Sequence, residues 1–274
     1  MQAASRESYA AVADRLNAYA ASASVEELAQ AAGDILDVAA LLGREPGLRR
    51  ALADINRTAE ERSALLTGLL TGKVSAGALD LLGQLAAGHW STPLDLVSAG
   101  ERLGAEALLA SAERGGNLAE VEDELFRFGQ VAAGDRGLAG AVSDSTAPVA
   151  RKAALVRELL DGKAAPVTVR LAELAVAGFE GRGFTHSVTR LVELAAERRE
   201  QTVAYVTVAI PLDVQQEQRL VAELSRQYGR QITAKVSVEP KVLGGISVQV
   251  GHDLWDGTVA RRLADSRNAL AGRK

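Results

Sequence analysis

The side chains that could do chemistry are few and scattered. Gly68-Leu-Leu-Thr-Gly72-Lys73-Val74 comes nearest to a phosphate-binding loop. Such a loop needs about four residues between its glycines, so that successive backbone N–H groups cradle phosphate oxygens, and a Ser or Thr after the lysine to hold Mg2+. Here the glycines are one residue too close and Val74 follows the lysine, so the stretch reads as a helix C-cap. His89, His186 and His252 stand singly in separate stretches, without the spacing that lets two imidazoles share a metal. No Gly-x-Ser-x-Gly elbow occurs, and no His or Lys sits in a recognisable catalytic pattern. With no Cys there is no thiolate nucleophile, thiolate metal site or disulfide frame. Asn56-Arg-Thr58 matches a glycosylation sequon, but no secretion signal precedes it, and a helix cap is the simpler reading. The expectation is a non-catalytic chain with no cofactor and no metal.

The elements that could position side chains are short helices. A chain of 274 residues is long enough for about two domains with sizeable cores. Aromatic residues are only 4%, so Leu, Val and Ala must fill those cores, which favours close-packed helices over an aromatic-lined pocket. No apolar run approaches the ~20 residues that span a bilayer, so any membrane association comes through a partner. The net charge of −4 argues against a nucleic-acid binder, although residues 201–274 hold ten basic and seven acidic side chains against −7 over residues 1–200.

Ser24-Val-Glu-Glu27 and Thr58-Ala-Glu-Glu61 are capping boxes, each opening a helix with leucines at helical spacing. Pro46-Gly47 starts a short helix, and residues 75–87 carry Leu79, Leu82 and Leu85 on one face. The pattern then repeats 90 residues on. Gly47-Leu48 meets Gly137-Leu138, Asp54 meets Asp144, Leu69-Leu70 meets Leu159-Leu160, Gly72-Lys73 meets Gly162-Lys163, and Ala87-Gly88 meets Ala177-Gly178. Glycine, lysine and aspartate kept in register without a gap over some sixty residues indicate two copies of one helical bundle. Residues 93–114, between the copies, should form one helix that serves both. Residues 185–199 form a long amphipathic helix at the end of the second copy.

Beyond it the period changes to two. Residues 202–210 (TVAYVTVAI) read as a strand, Pro211-Leu-Asp213 caps a helix with Leu220, Val221 and Leu224 inward, and Gly229 closes it. Ile232, Ala234, Val236 and Val238 alternate with polar residues, as do Ile246, Val248 and Val250. Gly244 and Gly245 can adopt positive φ cheaply, which suggests a bulge or a close backbone approach. Asp256-Gly257 is a turn dipeptide, with Asp256 or Thr258 placed to cap the next helix. The fold expected is mainly α with a small α+β C-terminal domain: two tandem helical bundles, then a small sheet covered by two helices. Trp90 and Trp255 should be local core.

The order Pro240, Gly244-Gly245-Ile246, Asp256-Gly257-Thr258 and Arg261 resembles the C-terminal pattern of the F-type ATP synthase delta subunit family, which includes the mitochondrial oligomycin-sensitivity-conferring protein. Thr258 stands where that family has Ser. Residues 103–125 resemble the family's opening helices, although its first Tyr is missing there; the first copy has Tyr9-Ala10 instead. The resemblance covers about 103–271 and implies three parts: an added bundle at 1–100, the family's N-terminal bundle at 101–200, and a stalk-binding domain at 201–274.

What the resemblance implies is a structural subunit of the peripheral stalk, or stator. Its helical domain would grip the N-terminal segments of the alpha subunits at the top of the catalytic head. Its C-terminal domain would engage the end of the b-subunit stalk, holding the head against rotor torque during ATP synthesis. Such a protein lies at the cytoplasmic face of the cell membrane, peripherally and through the b stalk. In the second copy the alpha segment would lie in a groove lined by Leu103, Leu108, Val169, Leu171 and Leu174. In the first copy the equivalent groove lies between residues 9–19 and 75–87. A different class, a non-catalytic adaptor whose terminal α/β module binds RNA, fits the +3 charge of residues 201–274. It lacks the exposed aromatic pair or basic Gly-x-x-Gly loop such modules use.

Overall fold

The computed structural model describes residues 2–201, 203–228, 232–238, 244–250, 253–259 and 261. Contacts divide the chain into two compact units, Met1–Ala196 and Glu197–Lys274. The class is the one expected, mainly α with a small mixed sheet near the C-terminus.

The first unit is built of helices α1 (Ala3–Ser22), α2 (Val25–Arg44), α3 (Pro46–Leu52), α4 (Ala59–Leu70), α5 (Ala76–Ala87), α6 (Pro93–Arg114), α7 (Leu118–Gly134), α8 (Arg136–Ser143), α9 (Val149–Leu160) and α10 (Pro166–Ala177). A 3-10 turn (Phe179–Gly181) and α11 (Phe184–Gln201) follow, α11 running on past the boundary of the unit. The starts of α3, α4, α5 and α6 recur 90 residues later as those of α8, α9 and α10 and near that of α11, and α1 starts 90 residues before α6. Local chemistry explains several of these boundaries. Both capping boxes form: Ser24 and Thr58 side chains accept from the N–H of Glu27 and Glu61, whose carboxylates accept from the cap N–H in return. Gly72 and Gly162 close α4 and α9 with φ of 75° and 64°.

One helix, α6, holds the unit together. From Leu103 to Ala112 every residue but Glu106 is buried, whereas α1, its counterpart in the repeat, buries only Ser5, Tyr9, Val12 and Leu16. Where a helix is covered it must be small or apolar, as α6 is at Gly100 and Gly104, which lie against α2: a Cβ on Gly104 would stand 2.6 Å from Leu36 Cγ and one on Gly100 3.2 Å from Ala39 Cβ. The α1 positions equivalent to this face, Glu7, Ala10 and Asp14, are exposed. Ala99 of α6 is buried where α1 has Tyr9, whose ring lies 4.4 Å beneath the Arg102 guanidinium.

Arg62 of α4 is a buried cation with a structural task. Its Nε donates to Ala86 O and its Nη2 to Ala87 O and Gly88 O, while Nη1 reaches Arg57 O. It thereby satisfies the carbonyls at the end of α5, which would otherwise be orphaned. Trp90 is 3% exposed, its Nε1 donating to Leu85 O at 2.9 Å.

The second unit contains β1 (Val203–Val208), α12 (Val214–Tyr228), β2 (Thr233–Val238), β3 (Ile246–Val250) and β4 (Asp253–Asp256), in the sheet order β2-β1-β3-β4. β1 pairs parallel with β2 and antiparallel with β3, and β3 pairs antiparallel with β4. Asp213 and Gln216 bond reciprocally at the start of α12. The inward residues Ala204, Val206, Val208, Val248 and Val250 pack with Leu224 of α12, which covers one face. The expected helix closure at Gly229 and most of the expected terminal helix lie outside the described residues. Trp255 departs from expectation. It is 41% exposed on the edge strand β4, its ring packed edge-on against Tyr228 rather than sunk in a core.

Candidate interface: the family motif and the two grooves

Gly244, Gly245, Ile246, Asp256, Gly257, Thr258 and Arg261 come together at one end of the sheet; Pro240 lies outside the described residues. Gly244 and Gly245 have φ of 98° and 86°. A Cβ on Gly245 would stand 2.5 Å from Gly257 O and 2.9 Å from Thr258 Cα, so two backbone segments touch where only glycine fits. The contact is fixed by Gly257 N–H donating to Ile246 O at 2.9 Å and Val259 N–H donating to Gly244 O at 3.0 Å. Asp256 Oδ1 accepts from Thr258 N–H, and Thr258 Oγ1 from Arg261 N–H. The Thr258 hydroxyl and N–H hold the Asp256 carboxyl below the usual carboxylate range. The motif is thus a backbone clasp, and its hydroxyl and carboxylate are used in turn geometry.

The groove residues are placed less evenly. Leu103, Leu108 and Leu171 are buried in the unit's own core, with Val169 and Leu174 half-buried on α10. Beside α6 the chain covers itself: α2 lies on Gly100 and Gly104, and the turn after α10 is pinned to it by Glu180 N–H donating to Glu101 Oε2 at 2.7 Å. Glu180 takes a left-handed conformation there, φ 54°. Burial, then the nearby Glu180 charge, push the Glu101 carboxyl up, against the lowering effect of that hydrogen bond.

Along the first copy the surface is open. Ala4, Ala11 and Ala18 of α1 and Ala76, Asp80 and Gln84 of α5 are exposed. The two helices are tied by Arg15, whose Nε and Nη2 bond the Asp80 carboxylate at 2.8 and 2.9 Å, and Ser8 Oγ of α1 donates to His89 O just beyond the end of α5.

Sequence reading missed three polar devices. Asp34 Oδ2 accepts from Ser75 N–H, and Glu124 Oε2 from Ala165 N–H. Arg62 caps α5 from within the core. Tyr9 Oη is buried, and burial followed by the Glu106 charge pushes its phenol well up. The acidic pair did carry a signal, since Asp34 and Glu124 obey the 90-residue offset. Among the described residues no group of His, Asp or Glu could hold a metal ion, and no helix is long and apolar enough to cross a membrane.

Residues 103–270 match the family model described as the ATP synthase delta (OSCP) subunit. The ATP synthase subunit delta of Salinispora arenicola is 59% identical over 274 residues, covering all of both chains. Its namesake in Salinispora tropica is likewise 59% identical over the full length. That of Streptomyces griseus is 45% identical over 272 residues, 99% of this chain and all of the other. These relatives include the first copy, which the family model does not reach. With the clasp formed and the likeness running from end to end, the chain belongs to the ATP synthase delta (OSCP) subunit family.

Proposed function

We propose that this chain is a non-catalytic stator subunit that joins the N-terminal segments of the alpha subunits to the C-terminal end of the b stalk. It works at the cytoplasmic face of the membrane. In this reading residues 1–100 and 101–200 are two bundles and 201–274 the stalk-binding domain. A stator must pass torque without yielding, and the observation that best supports the reading is α6. One continuous helix, buried from Leu103 to Ala112 except at Glu106, belongs to both copies, so no flexible linker separates them. The grip on an alpha segment is assigned to the first copy, where Ala4, Ala11 and Ala18 of α1 are open; of their equivalents on α6, Leu108 is buried and Glu101 is bonded by the turn at Glu180.

Native mass spectrometry of the chain with a catalytic head lacking its own delta subunit tests this. One chain per head is expected, and a separate mixture with the b subunit should give a binary complex that requires residues 197–274. Failure to bind a head that is competent for its other subunits would sink the reading.

A further inference from the structure

An ion pair interrupts the covered part of α6. The side chains of Arg102 and Glu106 are only 26% and 16% exposed, and Arg102 Nε donates to Glu106 Oε1 at 2.9 Å across one turn. The guanidinium also faces the Tyr9 ring of α1. Ninety residues earlier, α1 itself has Val12 and Leu16 at the equivalent positions, both fully buried. The repeat therefore accepts aliphatic side chains there, without the cost of taking two ions out of water. An ion pair that apolar side chains could replace adds little stability, and its best attested use is to select one packing among several.

Helix α1 has packings to choose among. It is rich in alanine, Val12 and Leu16 are its only larger aliphatic side chains, and it buries just Ser5, Tyr9, Val12 and Leu16. Apolar contact alone distinguishes its faces poorly. Its ends are tied. Ser5 Oγ donates to Asp95 Oδ2 and accepts from Ser91 N–H, Ser8 bonds His89 in both directions, and Arg114 Nη1 donates to Ala21 O. Between those ends the Arg15–Asp80 pair is half exposed on both sides, where an ion pair holds weakly. A cation against a ring is directional, because only the face of the ring attracts it. Tyr9 has no aromatic neighbour nearer than Tyr19 along α1, so turning the helix would leave Arg102 without a ring.

We propose that Arg102 and Glu106 are positioning residues: the pair selects the face on which α1 docks against α6, and so aims the opposite face outward. Glu106 holds the guanidinium, and the guanidinium receives the Tyr9 ring. The consequence rests on the stator reading, in which the outward face, with Ala4, Ala11 and Ala18, is assigned to the alpha segment.

The test replaces both ions, in the full chain, by apolar side chains of similar volume. Arg102→Met/Glu106→Leu should keep the helical circular dichroism and melt no lower than the parent. The chain has no Cys, so Val12→Cys places a single thiol on the docked face. That thiol should react slowly with a disulfide reagent in the parent background and about tenfold faster or more in the Met/Leu background. Arg102→Lys, which keeps a cation for the ring, should stay within about threefold of the parent. Binding to the delta-free head should weaken about tenfold or more in the Met/Leu chain and recover with Arg102→Lys. Unchanged thiol protection, or parent-like head binding by the Met/Leu chain, overturns the proposal. Faster reaction matched by a fall in melting temperature also overturns it, since the pair would then be a stabilising contact only. A parent chain that does not bind the head overturns the stator reading instead, and the thiol comparison still decides the positioning role.

Discussion

Asp34 Oδ2 accepts a hydrogen bond from the Ser75 backbone N–H at 2.7 Å, and ninety residues on Glu124 Oε2 accepts one from Ala165 N–H at 2.9 Å. Each pair is 41 residues apart, and each ties the second helix of a bundle to the start of its fifth. The carboxylate satisfies one of the orphan donors at a helix N-terminus and lies at the favourable end of its dipole. The repeat is therefore kept in long-range polar contacts as well as in helix lengths.

Removing either carboxylate should lower stability. Asp34→Ala and Glu124→Ala are each expected to cost about 1–2 kcal/mol, the range of a lost helix cap. Glu124 should be the more costly, because it also accepts from Thr168 Oγ1. Thermal unfolding would show drops of about 2–4 °C per kcal/mol in a unit of this size. Swapping the acids, Asp34→Glu or Glu124→Asp, should cost less than either alanine; equal losses would mean that the bonds contribute nothing of their own.

The helix at the centre of the first unit makes a sharper prediction. At Gly104 an added methyl would lie 2.6 Å from Leu36 Cγ and Cδ2, so Gly104→Ala should overpack the α2–α6 contact by about 1–3 kcal/mol. Leu36→Ala should return part of that loss when the two are combined, and the coupling can be measured in a double-mutant cycle. Additive effects would mean that the helices separate easily. Cutting the chain at residue 93 should bare Val97, Gly100 and Gly104, and size-exclusion chromatography of residues 93–274 would reveal the resulting association.

Much of this was legible in the sequence because it is local. Ser24 and Glu27, Thr58 and Glu61, and Asp213 with its helix are contacts within one turn, and the span 93–114 is bounded by Pro93 and Gly115. The buried Arg62 was not legible, since the carbonyls it bonds at the end of α5 lie 24 to 26 residues away and an arginine in an amphipathic helix looks like a solvated one. Nor were the groove residues resolved. Leu103 and Leu108, five residues apart, point about 140° away from one another on the helix, so spacing alone could not show that both are buried in the unit's core. For Trp255, its place beside the Asp256-Gly257 turn suggested local core but could not show that β4 is at the edge of the sheet.

Acid should loosen three turns together. Asp54, Asp144 and Asp256 are all held below the usual carboxylate range. For Asp54 the Asn56 N–H is the main cause, and for Asp144 and Asp256 the hydroxyls of Thr146 and Thr258. A carboxyl with a depressed folded pKa contributes stability above its unfolded value, near 3.9, and loses it as pH falls through the folded value. The melting temperature should therefore fall below about pH 4, and Asp54→Asn/Asp144→Asn/Asp256→Asn should flatten that fall while preserving the turns. Glu101, whose carboxyl is pushed up, acts with the opposite sign, and Glu101→Gln should steepen the net loss. An unchanged slope in the triple variant would show that these turns do not couple to folding.

At the clasp, Gly245→Ala meets two obstacles at once. Its φ of 86° is unfavourable for a residue with a Cβ, and that atom would meet Gly257 O at 2.5 Å and Thr258 Cα at 2.9 Å. Backbone cannot give way as a side chain can, so the cost should be about 3 kcal/mol or more, above the 1–2 kcal/mol of left-handed strain alone. The sheet should open between β3 and the segment after β4. Trp255 lies on β4 and Trp90 in the first unit, so the two indoles report on separate parts of the chain. In Gly245→Ala the Trp255 emission should shift to the red, while a Trp90-only variant, Trp255→Phe/Gly245→Ala, keeps the emission of Trp255→Phe. Hydrogen exchange should accelerate at Gly257 and Val259, whose N–H groups close the clasp, and leave α1–α10 unchanged. Protection retained at both amides would show that the glycine pair is dispensable, and that the family motif must be read through its other residues.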